Sequence, residues 1–149
     1  LKSDIAYCLE GGWIELKIFS VTASSGASTT PTIVTSASSL ADFGNISVGT
    51  TSIEKAYTIS GTNLTDNIVI SAPPEFLIST TSGGGYSSSI TLTPTGGTVP
   101  DTDILVVLAP TSTGSKSGTI TNVSNGATTK NVTVSGTGVQ SFTINGQVT

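Results

Sequence analysis

From Pro31 to Gly138 the chain runs in short stretches of alternating apolar and polar residues, broken by glycine, proline and asparagine. Alternation of this kind sends successive side chains to opposite faces of a strand. It predicts strands at Ile33–Ser36, Ile53–Ser60, Asn67–Ser71, Phe76–Ser79, Ser89–Thr93, Asp103–Ala109, Ser117–Val123 and Thr128–Ser135. The breaks fall at Gly49, Gly61-Thr62-Asn63, Pro73-Pro74, Gly83-Gly84-Gly85, Gly96-Gly97, Pro110 to Gly114, Asn125-Gly126 and Gly136-Thr137-Gly138. Seven to eight strands at a spacing of roughly 8–12 residues are the pattern of an all-β sandwich. No stretch holds a sustained 3.6-residue apolar face, so helices are not expected. The inner positions predict a core of Tyr57, Ile59, Ile68, Ile70, Phe76, Ile78, Ile90, Leu92, Ile104, Val106, Leu108, Ile120, Val132 and Val134. Gly118 starts its strand and marks a bulge or a close backbone approach. Asn125-Gly126 predicts a type I′ hairpin that pairs the last two strands.

The first residues follow a different pattern. After Glu10-Gly11-Gly12, the run Trp13 to Val21 reads as a strand: Ile14, Leu16 and Ile18 on one face, Trp13, Glu15, Lys17 and Phe19 on the other. Thr22 to Thr30 holds only Ser, Thr, Ala and Gly, the composition of a flexible linker. The organisation is therefore an N-terminal extension (1–21), a linker (22–31), a sandwich (32–138) and a C-terminal strand or tail (139–149). Burying Ile14, Leu16 and Ile18 is worth roughly 1.5–3 kcal/mol each, and an edge strand that left them exposed would aggregate. Their cover is either the chain's own sandwich or a neighbouring subunit that accepts the strand by β-augmentation. Transfer between identical subunits is a heterologous contact that builds an open filament. Trp13, Ile14, Leu16, Ile18, Phe19 and Val21 are the candidate assembly residues.

Composition narrows the chemistry. The 149 residues include 23 serines and 27 threonines, about a third of the chain, and no His, Arg or Met. Without His there is no Ser-His-Asp triad, Cys-His pair or His-ligated zinc. Without Arg, and with a net charge of −4, a nucleic-acid partner is not expected. The longest apolar run, Ile104 to Ala109, is too short to cross a bilayer as a helix. The single cysteine, Cys8, excludes an internal disulfide. It is either inert packing or an intermolecular thiol. The residues before it do not fit an acylated cysteine. The chain begins at Leu1, which fits processing or excision from something longer.

The remaining candidates each have a plainer reading. Asp101 and Asp103 share one side of an extended segment and would start a calcium loop, but only Asp42 or Asp66 could complete it; the plainer reading is a solvated turn. Tyr86 follows three glycines at a predicted loop tip. It is either a platform for a sugar ring or a side chain folded back over the sandwich. Asn45, Asn63, Asn122 and Asn131 open Asn-x-Ser/Thr triplets, though Asn63 and Asn122 also suit a turn and a strand end. The Ser/Thr-rich surface is a candidate for O-glycosylation.

Residues 32–138 resemble a bacterial immunoglobulin-like repeat of the choice-of-anchor and ASH-like type. The resemblance is carried by Tyr57-Thr58-Ile59-Ser60-Gly61-Thr62-Asn63-Leu64, Ala72-Pro73-Pro74-Glu75-Phe76, Ser88 to Pro94, Ser117 to Asn122 and Ala127 to Gly138. It implies an immunoglobulin-like β-sandwich from a secreted or cell-surface protein, used as a spacer or adhesive module, with no catalytic residues. One departure is the wholly apolar Leu105-Val106-Val107-Leu108, where such repeats often carry a basic residue; that face should be covered by something other than water. Two functions are expected. The first is a subunit of an extracellular filament or tandem stalk, whose partners are copies of itself or neighbouring repeats. The second is a non-catalytic accessory module of a larger secreted bacterial enzyme or adhesin, with surface glycans as its candidate partner. Neither needs an enzyme activity, a cofactor, a metal or membrane insertion.

Overall fold

The computed structural model describes residues 29–141. The predicted strand at 13–21, Cys8 and the predicted C-terminal strand or tail beyond Ser141 lie outside the described residues. The described chain is all β, with no helix. Its nine strands are β1 (Thr32–Thr35), β2 (Asn45–Ser47), β3 (Lys55–Thr62), β4 (Ile68–Ser71), β5 (Phe76–Ser79), β6 (Ser89–Leu92), β7 (Val99–Leu108), β8 (Gly114–Val123) and β9 (Lys130–Val139). They form two sheets, ordered β1-β3-β7-β5 and β2-β9-β8-β4-β6. The first matches the ABED sheet of an immunoglobulin domain, and β9-β8-β4 matches its GFC sheet. The fold is immunoglobulin-like. The first strand is split: β1 pairs with β3, then the chain changes sheets and β2 runs parallel to β9.

Alternation placed the core correctly. Tyr57, Ile59, Ile68, Ile70, Phe76, Ile78, Ile104, Val106, Leu108, Ile120, Val132 and Val134 are buried between the sheets, joined by Ile33, Phe43, Leu64 and Val99. Ile90 and Leu92 are only half buried, because β6 is an edge strand.

Several local expectations need correction. The ninth strand, β2, was not anticipated: it is three residues long and half exposed, and leaves no alternation to read. Gly136-Thr137-Gly138 and Gly61-Thr62 are strand rather than breaks, and β8 begins at Gly114. The glycines are there because neighbours come too close for a side chain. A Cβ on Gly61 would meet Leu64 Cδ1 at 2.5 Å, and one on Gly136 would meet Leu108 Cδ2 at 2.5 Å. A Cβ on Gly138 would strike the Ser112 carbonyl oxygen, a backbone atom that cannot swing aside. Gly118 is the predicted close approach, against Pro73, and its pairing with β9 continues without a bulge. β8 and β9 do pair, but the turn is not type I′. Ala127 N donates to Ser124 O at 3.1 Å, and of the two central residues only Gly126 has a positive φ, 76°. That is the type II arrangement, inside a loop longer than two residues.

Gly138→Ala is expected to destabilise the domain by about 1–3 kcal/mol, the usual cost of forced overpacking. Urea unfolding of the variant checks this. An unchanged midpoint would mean that the Ser112 turn gives way freely.

Candidate functional site

Chain entry and exit lie at opposite poles of the sandwich. Pro31 enters beside the β8–β9 loop, where a Cβ on Gly126 would lie 3.2 Å from Pro31 Cγ. β9 then runs ten residues to Val139 at the far pole. There Val48 N donates to Val139 O, Gly49 N to Pro110 O and Ser52 N to Leu108 O. The entry pole thus carries Asn63, Leu64, Gly97 and the Asn125-Gly126 turn. The exit pole carries Ile53, Glu54, Glu75, Ser112 and Lys116. Ile53 is 79 % exposed, the most exposed large apolar side chain of the described residues.

The triple-glycine loop is pinned at the exit pole. Glu54, one residue ahead of β3, accepts hydrogen bonds from Tyr86 OH, from Ser82 Oγ at 2.7 Å and from Gly83 N at 2.6 Å. Ser79 Oγ donates to Gly84 O at 2.6 Å and accepts from Thr81 N at 2.9 Å. Ser79 ends β5 on one side of β7, whereas Glu54 adjoins β3 on the other, so the loop crosses the outer face of β7 as a strap. Val107, which points away from the core between Val106 and Leu108, is 1 % exposed there. The strap is the cover that the apolar Leu105-Val106-Val107-Leu108 run called for. Tyr86 is half buried with its hydroxyl engaged, so it folds back over the sandwich.

A second pinned group closes the same pole. Glu75 sits at the third position of the Pro73–Phe76 turn with φ 68°, a region that side chains seldom occupy. Lys116 Nζ lies 2.8 Å from its Oε2, while Thr111 Oγ1 donates to Oε1 at 2.8 Å and Ser112 Oγ at 3.2 Å. Its own carbonyl accepts from Ala109 N at 2.8 Å. These bonds hold a conformation that the turn alone would leave to glycine.

The aspartates do not converge. Asp103 accepts from Thr58 Oγ1 at 2.9 Å, Asp42 accepts from Gly44 N and Ser135 Oγ, and Asp66 accepts from Asn67 N. Among the described residues no group of three His, Cys, Asp or Glu is placed to hold a metal. Asn122 is sealed in the core with its amide engaged, and Asn63 takes the left-handed turn conformation, φ 55°. Asn45 and Asn131 are exposed.

Three carboxyls are held below their ordinary values by the bonds they accept. For Glu54 the first cause is the Tyr86 hydroxyl, for Asp42 the Ser135 hydroxyl, and for Glu75 Lys116. A carboxyl lowered in the fold stabilises it above the unfolded value, and that stability is lost as pH falls through the folded value. We therefore expect flat thermal stability from about pH 5 to 8, where no His titrates, and a decline below the ordinary Glu value of 4.5. Loss of hydration and the Glu54 carboxylate push the Tyr86 phenol up to about 12. The raised phenol has the opposite sign: its contribution is complete below pH 10.0 and fades as pH rises toward the folded value. Glu54→Gln should bring one late phenol back toward 10.0 in a spectrophotometric titration; an unchanged titration would mean that Glu54 does not hold Tyr86.

No family model matches the sequence, and no curated protein matches it. Among solved structures, the chain is similar to an ASH/PapD-like domain of human CEP192, its PapD-like domain 7. That match has a TM-score of 0.46 and 12 % identity, and covers 87 % of this chain and 100 % of that one.

Proposed function

We propose that this chain is a non-catalytic, extracellular structural module: one unit of a bacterial surface filament or tandem stalk, joined to its neighbours end to end by strand donation from residues 13–21. The observation that carries the reading is the placement of entry and exit at opposite poles, which lets identical units stack along one axis without doubling the chain back. The pinned polar side chains agree with a mechanical role. Asp42, Glu54, Glu75 and Asp103 are spent on hydrogen bonds that fix loops and strands. The resemblance of residues 32–138 to bacterial surface repeats supports the location outside the cell, and the alternating face of Ile14, Leu16 and Ile18 supports the mode of joining.

The test compares the full chain with a variant lacking residues 1–21, by analytical ultracentrifugation and negative-stain imaging. The full chain is expected in large linear assemblies, and the truncated chain as a folded monomer with the same β-type circular dichroism. Assemblies that survive the deletion would overturn strand donation.

A further inference from the structure

The four sheet edges of the sandwich are not equivalent. On β5, Ile78 exchanges both backbone hydrogen bonds with Ser87, 2.8 and 2.9 Å, so that edge is closed. β1 and β2 are the two halves of a strand that changes sheets, and the inward Ile33 of β1 is already covered, 1 % exposed. β6 is different. Among the described residues it ends the five-stranded sheet, pairs only with β4, and carries no charge, proline or bulge over Ser89–Leu92. These are the devices that usually guard an edge. Its hydrogen-bonding phase follows from Ala72 N donating to Ser88 O. Bonded pairs alternate along an antiparallel ladder, so Ile70 faces Ile90 and Ile68 faces Leu92 in bonded pairs. The backbone N–H and C=O of Thr91 then point away from β4, into the open edge. Ile90 and Leu92 are left half buried on the core side.

We propose that the β6 edge is the acceptor for residues 13–19 of a second copy, which adds there as a sixth strand antiparallel to β6. The proposal rests on the end-to-end reading above. Ile14, Leu16 and Ile18 would continue the row of Ile90 and Leu92 over the core, leaving Glu15 and Lys17 on the solvent face. The direction follows from the poles. β6 runs toward the entry pole, because Leu92 lies opposite Ile68 and Ser89 opposite Ser71. A strand arriving from a copy stacked on the exit pole has its Phe19 end there and its Trp13 end toward the entry pole, hence antiparallel. The same segment folding back onto its own sandwich would start from the entry pole and lie parallel, the slightly weaker pairing. The nine residues 22–30 reach at most about 30 Å, more than the four-residue β6 requires.

The test uses the full chain. Thr91→Pro removes the outward N–H without touching the β4 ladder, and Ile14→Asp/Leu16→Asp/Ile18→Asp spoils the donor; circular dichroism confirms that each remains folded. Loss of assembly in both variants is expected. So is an intermolecular disulfide between Ile14→Cys and Leu92→Cys in a Cys8→Ser background. Assembly that survives Thr91→Pro but not the donor variant would place the acceptor elsewhere and overturn this proposal alone. Assembly that survives the donor variant would overturn the strand-donation reading itself. A disulfide formed within one chain between Ile18→Cys and Leu92→Cys would show parallel self-docking and overturn the second copy as occupant.

Discussion

Phe76→Ala is expected to cost about 3–5 kcal/mol of folding free energy. Phe76 opens β5, is fully buried, and meets Phe43 edge to face, with ring centroids 5.6 Å apart and planes at 65°. Two losses combine: the transfer free energy of the ring and the cavity it leaves. The cavity cannot collapse easily. Phe43 is fixed by its backbone N–H, which donates to Ser135 O at 2.8 Å, and by close contact with Gly136, whose own Cβ would sit 3.1 Å from Phe43 Cβ. Domains are typically stable by about 5–15 kcal/mol, so the variant retains a fold but loses a large share of its margin. For a domain near this size the thermal midpoint should fall by roughly 12–20 °C. Differential scanning calorimetry reads it. A fall of less than about 5 °C would mean that the two-sheet core repacks around the missing ring.

The two-residue period carried most of the fold because this sandwich buries one face of most of its strands and exposes the other, the strap-covered second half of β7 apart. In β9 the pattern Val132, Val134, Gly136, Gly138 is inward throughout. The sequence shows the apolar half of that row plainly and disguises the rest, since glycine reads as a turn unless one knows that Leu108 and Ser112 occupy the space. β2 was invisible for another reason. Its three residues pair in parallel with Asn45, Ile46 and Ser47 opposite Thr137, Gly138 and Val139, a contact between segments some ninety residues apart with no local signature. The strap is similar. Three glycines and a tyrosine announce a loop, but the Glu54 carboxylate that anchors it comes from the start of a strand about thirty residues earlier. What the sequence could signal was the need for it: an apolar Leu105-Val106-Val107-Leu108 run with no polar side.

Asn122 was legible in principle. It falls two residues after Ile120 on the inward row of β8, where an apolar residue is expected, and it is fully buried. A buried amide demands partners. Its Oδ1 accepts from Tyr57 OH at 2.8 Å, and its Nδ2 donates to Lys130 O at 3.0 Å. The first bond ties β3 of one sheet to β8 of the other across the core. Burial pushes the Tyr57 phenol well above its ordinary value. The cost of breaking this pair depends on which partner is removed. Tyr57→Phe leaves one amide oxygen unpaired, at about 1–3 kcal/mol. Asn122→Leu strands the Tyr57 hydroxyl and frees the Lys130 carbonyl, at about 2–4 kcal/mol. The double variant removes both members of the cross-core bond, leaving no stranded hydroxyl and no stranded amide oxygen. It should be less destabilised than the sum of the singles by about 1–3 kcal/mol. Urea unfolding of the four proteins measures the coupling. Additive single effects would mean that water reaches the hydroxyl in the fold, and that the two sheets are held by apolar contact alone.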